Sequence, residues 1–441
     1  MIYLLINLVN MSVKVNITSK GIQKVLKNYN ERQAIAEYIW NGFDANADTI
    51  RIDYAANSLG LLEQLTIADN GYGINFDRLQ QKFDPFFESE KSIQIIAPKH
   101  TSKMHGRNGV GRLTFFTFAH DALWKTTYQS EQGFCYGEIH INTGGLNSYS
   151  HDFSTVPGNT GETGTTVSFT NLRISQQDIE TTVLPFLINE FCWFIELNKH
   201  KNYSIIVNGA ALDFSSNIKS IEEFNLFYPD TAVTFKIKYV HWKENLHKEL
   251  SKYYFLAGGE EIYKDYTTLN KKSDDYFHSV YIDSDFFRDF DFKSFENEGQ
   301  VAIFGAAKSS PEYRFLIKSL TEYLKSKRKP FLKEYANSLV ESYEQDEIFP
   351  VYASEIEKKS RKPALVNLIK ALYEIEPKLF SSLNTDQKKT IVRLIDLLMR
   401  SNLRDEIFEM FNGMIELETE EQDELLQLIK GLELTEKLSM I

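Results

Sequence analysis

The chain has 441 residues, of which 42% are hydrophobic and 25% are charged, as is usual for a soluble globular protein of two or three domains. Its net charge of −12 at pH 7 argues against a surface built to coat nucleic acid or anionic membrane. The only cysteines, Cys135 and Cys192, lie far apart in apolar segments. No disulfide framework or zinc site is therefore expected, and the protein is predicted to be cytoplasmic.

Residues 1–11 are predicted to form an N-terminal arm. The first ten residues are apolar but too few to span a bilayer, and they lack the features of a signal peptide. Met11 is an alternative start, and packing of the arm on a neighbouring subunit is a further option. No other apolar run reaches transmembrane length, so no membrane association is expected.

The first long helix is predicted at 31–45, and its polar residues fall on one face. At about 100° per residue, Glu37, Asn41 and Asp44 lie in a stripe about 60° wide. An amphipathic helix does not require a carboxylate, an amide and a second carboxylate stacked in this way. Taken alone, however, the triple is explained more simply by a solvated helix face, so later motifs must decide between the two hypotheses.

A predicted hairpin of strands at 49–54 and 61–68 runs directly into an Asp-Asn-Gly-Tyr-Gly-Ile segment at 69–74. Gly71 and Gly73 indicate a tight turn where the backbone approaches another group closely. An ordinary Asn-Gly turn explains the two glycines equally well.

A glycine-rich segment, His-Gly-Arg-Asn-Gly-Val-Gly-Arg at 105–112, stands just before an apolar stretch at 113–119. Bare backbone amides at the start of a helix favour an anion such as phosphate. The spacing matches neither the Walker pattern nor the dinucleotide-binding G-x-G-x-x-G pattern, so this segment is weak evidence when taken alone.

The remaining elements are predicted from alternation or helical spacing. Further strands are predicted at 13–17, 122–128, 133–141, 164–170, 203–209 (with its turn), 233–240, 253–256, 278–282 and 300–304. Further helices are predicted at 21–29, 75–83, 176–198, 311–325, 332–343, 352–359, 363–375, 385–400, 402–415 and 418–432. Loops are predicted at 84–103 and 143–163.

Four motifs stand in one order: Glu37-x3-Asn41-x2-Asp44-Ala45, Asp69-x-Gly71-x-Gly73, Gly106-x2-Gly109-x-Gly111 and Gly164-Thr165-x-Val167. Together they resemble the GHKL superfamily, the gyrase, heat-shock chaperone, histidine-kinase and MutL ATPases built on the Bergerat fold. The resemblance implies an α+β protein with three domains. These are a Bergerat-fold ATPase domain at 12–175, in which helices cover a mixed sheet, a transducer-like α/β domain at 176–330, and a helical C-terminal domain at 331–441.

The resemblance also implies roles on the phosphate side of an ATP site. Glu37 would be the catalytic general base toward the attacking water, Asn41 would bind Mg²⁺ through its amide oxygen, and Asp44 would support the site. The lid over the phosphates would comprise Gly106, Arg107, Asn108, Gly109, Val110 and Gly111.

On the adenine side, the resemblance implies that Asp69 accepts the amino proton of the base. Thr165 would help to hold adenine through its hydroxyl group. Gly71 and Gly73 would let the backbone pass close to the base and ribose. The cofactors implied are therefore ATP and Mg²⁺.

Several basic residues are candidates for phosphate contacts, although solvated side chains are the simpler explanation for most of them. In this superfamily the transducer usually supplies one basic residue to the γ-phosphate. Lys308 and the basic run at 325–329 are both candidates for this role, and the sequence does not decide between them. Lys103, Arg107 and Arg112 lie near the lid.

The resemblance implies a Mg²⁺-dependent ATPase whose lid closes on ATP and whose subunits form an ATP-dependent homodimer that acts as a clamp or switch. The chain resembles stand-alone bacterial members, such as MORC-like, chaperone-like or defence-system ATPases, which suggests antiviral defence and a protein partner from the same operon. The alternative is a regulatory ATP-binding module or chaperone-like protein in which ATP mainly drives assembly. A nucleic-acid client stays open but is not indicated by the net charge.

Overall fold

The structure is a computed structural model. It describes residues 18–80, 111–131, 133–155, 161–246, 251–269, 276–292, 307–375, 377, 380 and 383–400. The chain divides into two compact units. The first comprises 1–219, 246–249 and 254–264, and the second comprises 220–245, 250–253 and 265–441.

The helices of the first unit are α1 (Ser19–Leu26), α2 (Glu31–Asp44) and α3 (Leu184–Leu197). Helix α3 follows a short helical turn at Gln176–Asp178 and a π-helical turn at Ile179–Val183, so the helix predicted at 176–198 is confirmed with a local irregularity. The 3₁₀ helices of this unit include Phe76–Arg78 and Gly111–Thr117. The first begins the helix predicted at 75–83, which continues as α-helix at 79–80 before its last three residues, which lie outside the described part of the chain.

The first unit contains a mixed sheet of eight strands in the order β5-β4-β3-β6-β2-β1-β7-β8. Its strands are β1 (Thr49–Ala56), β2 (Leu62–Asp69), β3 (Asp121–Ser130), β4 (Gly133–Asn142), β5 (Ser150–Thr155), β6 (Gly164–Thr170), β7 (Ser204–Val207) and β8 (Ala210–Ala211). Strands β1 and β2 form the predicted antiparallel hairpin. The mixed sheet and its helices agree with the predicted α+β class.

Strand β5 corrects the sequence analysis, which predicted a loop throughout 143–163. The strand pairs antiparallel with β4 at the edge of the sheet. Its sequence, Ser-His-Asp-Phe-Ser-Thr, shows no apolar alternation because it is exposed, and even Phe153 is 63% accessible. The strand therefore forms through backbone pairing, which leaves no hydrophobic pattern to detect.

Strand β7 was expected to lie in the domain that follows residue 175. It pairs in parallel with β1, from Thr49 opposite Ser204 to Ile52 opposite Val207, and so belongs to the larger sheet. Parallel neighbours are joined by long crossover connections, and local patterns along the chain do not reveal such pairings.

Helix α2 packs between two groups of aromatic side chains. On one side, Trp40 and Phe43 contact Phe191 and Phe194 of α3, with the ring centroids 4.4–5.9 Å apart. On another side, the ring of Tyr38 meets Phe169 of β6 edge-on at 4.9 Å. Burial of such large side chains contributes strongly to core stability, and it holds α2 in one orientation.

A hairpin of β11 (Lys252–Ala257) and β12 (Glu260–Tyr266) turns at Gly258 and Gly259, both of which have positive φ. In the second unit, β13 (His278–Asp283), β10 (Thr234–Trp242) and β9 (Ile218–Phe227) are neighbours in this order. The strands predicted at 233–240, 253–256 and 278–282 are thus confirmed.

The helices of the second unit are α4 (Pro311–Gln345), α5 (Glu355–Ile375) and α6 (Thr385–Met399). Helix α4 corrects the prediction of separate helices at 311–325 and 332–343, because it continues through Pro330. Its buried residues Leu324, Arg328, Leu332 and Ala336 recur every four positions, so one packed face spans the proline.

Helix α5 likewise joins the segments predicted at 352–359 and 363–375 across Pro363. The helix predicted at 385–400 is confirmed as α6. The elements predicted at 13–17, 84–103, 300–304, 402–415 and 418–432 lie outside the described residues. None of the described helices combines the length and apolar character needed to cross a membrane.

Candidate functional site

Helix α2 presents one polar stripe on an otherwise buried surface. A capping box holds its start, because Asn30 Oδ1 accepts a hydrogen bond from the amide of Gln33 at 3.0 Å and Gln33 Oε1 accepts one from the amide of Asn30 at 3.3 Å. From residue 34 to residue 44, every side chain is buried except Glu37, Asn41 and Asp44, which are partly exposed. A solvated outer face would leave fully exposed residues, and none of these three residues is fully exposed.

Gly42 brings this stripe against the end of β2. A β-carbon at position 42 would lie 2.9 Å from Cβ of Asp69 and would overlap Cδ1 of Ile50. Only glycine allows the helix to approach the sheet so closely. Gly42 is not among the residues predicted from the sequence, although a glycine in the interior of a strongly patterned helix is a detectable signal.

The carboxylate of Asp69 is partly buried at this contact. The amide of Gly71 donates a hydrogen bond to Oδ1 at 2.9 Å, and the amide of Thr165 also donates to the carboxylate. Burial raises the pKa of Asp69 to about 6, although both amide hydrogen bonds lower it. Asp69 is therefore an ionised, oriented acceptor at neutral pH.

The two glycines after Asp69 are required by close backbone contacts. A β-carbon on Gly71 would lie 2.5 Å from the carbonyl oxygen of Ala45, which also accepts a hydrogen bond from the amide of Tyr72 at 3.0 Å. Gly73 has a φ of 75°, and a β-carbon there would overlap the carbonyl oxygen of Thr127. The turn thus links the end of α2 to β3. An isolated Asn-Gly turn, which is the alternative explanation, would not make these contacts.

Three polar residues lie side by side on neighbouring strands: Asp69 on β2 is opposite Thr165 on β6, and Thr165 is opposite Thr126 on β3. Directly opposed residues share one face of a sheet. Thr126 Oγ1 lies 3.0 Å from Thr165 Oγ1, accepts a hydrogen bond from the amide of Ile74 at 2.9 Å and donates one to the carbonyl oxygen of Gly164 at 3.1 Å. The sequence analysis did not identify Thr126.

The described end of the glycine-rich segment lies beside Glu37. A β-carbon at Gly111 would be 2.8 Å from Oε2 of Glu37. Helix α2 also holds this end directly, because the hydroxyl of Tyr38 donates a hydrogen bond to the carbonyl oxygen of Arg112 at 2.8 Å. Thr114 Oγ1 donates to the carbonyl oxygen of Gly111 at 2.7 Å. Five predicted lid residues, Gly106, Arg107, Asn108, Gly109 and Val110, lie outside the described residues, as does Lys103.

Tyr29, which precedes α2, is a third residue that was not predicted from the sequence. Burial raises the pKa of Tyr29, and the negative charge of Glu37 raises it further. The negative charge of Glu37 therefore influences the ionisation of Tyr29.

Two of the basic candidates in the second unit are held by carboxylates. Nζ of Lys308 lies 3.1 Å from Oδ2 of Asp265, and Nζ of Lys327 lies 2.7 Å from Oε1 of Glu222. The nearby carboxylate offsets part of the positive charge that either lysine would offer to a phosphate.

The chemistry of the site suits a hard cation that is shared with a ligand. Among the described residues, no group of three or more His, Cys, Asp or Glu is placed to hold a metal ion. Asn41 offers an amide oxygen between two carboxylates on α2. Mg²⁺ bound to a nucleotide usually takes one or two protein oxygens and keeps phosphate and water ligands, so this donor set fits Mg²⁺.

The mixed sheet, the buried helix with its polar stripe and the oriented carboxylate lie together in the first unit. Residues 29–144 match the family model described as histidine kinase-, DNA gyrase B- and HSP90-like ATPase. This match supports the GHKL resemblance for the region from α2 to β4 and therefore suggests ATP binding. A comparison with curated proteins gives no significant match.

Proposed function

We propose that the first unit binds ATP and hydrolyses it in a Mg²⁺-dependent reaction. The observation that carries this proposal is the polar stripe of α2, where Glu37, Asn41 and Asp44 are the only partly exposed side chains from residue 34 to residue 44. Gly42 sets this stripe against Asp69, so groups suited to phosphate chemistry and to base recognition lie at one site. The match to an ATPase family over residues 29–144 supports the same proposal.

Asp69 is the residue that would recognise the base. Its ionised carboxylate accepts hydrogen bonds from the amides of Gly71 and Thr165 and retains acceptor positions for a ligand. The exocyclic amino group of adenine is a donor of the right chemistry. Gly71 and Gly73 pack against backbone carbonyl oxygens beside this carboxylate, so no side chain projects from either position.

Glu37 would act on the water that attacks the γ-phosphate. A carboxylate within hydrogen-bond reach of this water can polarise it as a general base, which typically contributes a factor of about 10² to 10⁴ in rate. Asn41, one helical turn further along the same face, would hold Mg²⁺ through its amide oxygen. The bound ion would neutralise charge on the phosphates.

The variant Glu37→Gln tests the catalytic assignment because it keeps the shape of the side chain and removes the base. We expect ATP binding within a few-fold of wild type and a turnover rate at least about 100-fold lower. Glu31→Gln, at an exposed position on the same helix, is the matched control and should leave both quantities unchanged. Undiminished hydrolysis by Glu37→Gln would reject the assignment.

The proposal extends to ATP-dependent dimerisation, which the resemblance implies. Light scattering of the full chain with ATP, a non-hydrolysable analogue and ADP would measure the oligomeric state. A dimer with ATP and its analogue, a monomer with ADP and measurable turnover would support a clamp. Dimerisation by ATP with negligible turnover would instead support the assembly module.

A further inference from the structure

Thr126 is a buried hydroxyl that none of the four sequence motifs contains. It is 1% exposed, and its neighbour Thr165 is 7% exposed, so neither hydroxyl has ready access to bulk water. Their hydrogen bonds must therefore be satisfied within the protein or by a ligand. Thr126 has three such contacts, to the amide of Ile74, the carbonyl oxygen of Gly164 and the hydroxyl of Thr165.

The chemistry of these contacts favours one arrangement of the two hydroxyl protons. A threonine hydroxyl has one proton and two acceptor lone pairs. The carbonyl oxygen of Gly164 has no proton, so the 3.1 Å contact requires the proton of Thr126. The 3.0 Å contact between the two hydroxyls then requires the proton of Thr165, which donates to Thr126. The second lone pair of Thr126 accepts the amide of Ile74.

The hydroxyl of Thr165 can therefore only accept hydrogen bonds from a ligand. Asp69, directly opposite Thr165 on the neighbouring strand, is also an acceptor when it is ionised. Two neighbouring acceptors favour a ligand group that carries hydrogen-bond donors, such as an exocyclic amino group. A carbonyl oxygen in the same place would face lone pairs on both sides, and an unmatched polar contact of this kind is costly.

We propose that Thr126 is a positioning residue that makes the Asp69–Thr165 pair select 6-aminopurine nucleotides over 6-oxopurine nucleotides. This inference rests on the proposed ATP-binding function. Without the Thr126 hydroxyl, the proton of Thr165 is released and can donate to a carbonyl oxygen. The amide of Ile74 also loses its acceptor, which loosens the turn that carries Gly71 and Gly73.

The test compares the affinity of ATP with that of inosine triphosphate, which differs from ATP only at the 6-position of the base and its ring proton. Isothermal titration calorimetry on the full chain would give both dissociation constants. The variants are Thr126→Val, which keeps the shape of the side chain, and Thr126→Ser, which keeps the hydroxyl. Thr66→Val is the matched control, because it removes a hydroxyl-to-backbone hydrogen bond on the opposite face of the same sheet.

We expect Thr126→Val to lower the preference for ATP over inosine triphosphate by about tenfold or more. The reason is that the Thr165 hydroxyl could then donate a hydrogen bond to the base instead of accepting one. Thr126→Ser and Thr66→Val should keep the wild-type preference. Thr126→Ala, which also removes the hydroxyl, replaces Thr126→Val if the latter does not fold. A merely structural role would weaken both nucleotides equally and leave the ratio unchanged.

An unchanged ratio in a folded Thr126→Val or Thr126→Ala protein that still binds ATP would overturn this inference alone. An equal loss of preference in Thr126→Ser would overturn it as well. If the wild-type chain binds neither nucleotide, the proposed ATP-binding function fails, and the inference fails with it.

Discussion

Gly111 lies so close to Glu37 that a β-carbon at position 111 would be 2.8 Å from Oε2 of the carboxylate. The backbone around Gly111 is also held by two hydrogen bonds, from Tyr38 to the carbonyl oxygen of Arg112 and from Thr114 to that of Gly111. Because this backbone is held in place, any added side chain must displace the carboxylate. The last glycine of the glycine-rich segment therefore defines the space in which Glu37 can act.

Gly111→Ala should lower turnover more than it lowers ATP affinity. The added methyl group pushes Glu37 away from its position, and small displacements of a catalytic group have large effects on rate. We expect turnover to fall by about tenfold or more in steady-state ATPase measurements, with the dissociation constant of ATP changed less. Gly145→Ala, which meets only the flexible Ser148 hydroxyl at 3.0 Å, is the control. Equal turnover in the two variants would contradict the prediction.

Gly42→Ala should destabilise the protein although alanine is the better helix former. In an exposed helix this change gains about 1 kcal/mol. At position 42 the new methyl group would overlap Ile50 and lie 2.9 Å from Cβ of Asp69, and such overpacking typically costs about 1–3 kcal/mol. Urea unfolding measures the sign of the change directly. A more stable Gly42→Ala protein would show that α2 does not press on the end of β2 as described.

Asp69→Asn should abolish tight ATP binding and yet stabilise the free protein at neutral pH. Burial is the main cause that raises the pKa of Asp69 from 3.8 to about 6 in the folded chain. The folded state therefore holds the proton more tightly than the unfolded state, and stability that is present below pH 3.8 is lost as the pH rises through about 6. The loss amounts to about 3 kcal/mol.

The gain in Asp69→Asn should therefore be largest near pH 7.5 and vanish near pH 4. Urea unfolding at both pH values measures it, and Asp53→Asn, at an exposed position of β1, is the control. ATP affinity of the wild type should fall as the pH drops below about 6, because a protonated Asp69 loses an acceptor. A stability gain that is the same at both pH values would contradict this account.

Asp396→Ala should destabilise the helical part of the second unit. Asp396 is 4% exposed, and Nη2 of Arg361 contacts both of its carboxylate oxygens, at 2.7 and 2.6 Å. Arg361 also contacts Glu357, so removal of Asp396 leaves its buried charge only partly compensated, which costs about 1–3 kcal/mol. Replacement of both residues by apolar ones of similar size should recover most of this loss in thermal unfolding. No recovery in the double variant would show that the loss does not come from the charge of Arg361.

Local elements of the fold were predictable because their signals repeat over a few residues. The spacing that placed Glu37, Asn41 and Asp44 on one face needs only the geometry of a helix, and the described α2 has that face. The β1–β2 hairpin is likewise a matter of alternation on two adjacent segments. Strand β5 escaped prediction because an exposed edge strand carries no apolar alternation.

The sequence by itself determined which residues lie together along one helix, strand or turn, and hence the polar stripe and the motif around Asp69. Only the tertiary structure decided which of these segments meet. The parallel pairing of β7 with β1, the contact of Gly42 with Asp69 and the hydrogen bonds of Thr126 to Thr165 all join residues far apart in the chain. Such contacts depend on packing between elements, and the periodicity of one element does not indicate which other element it packs against.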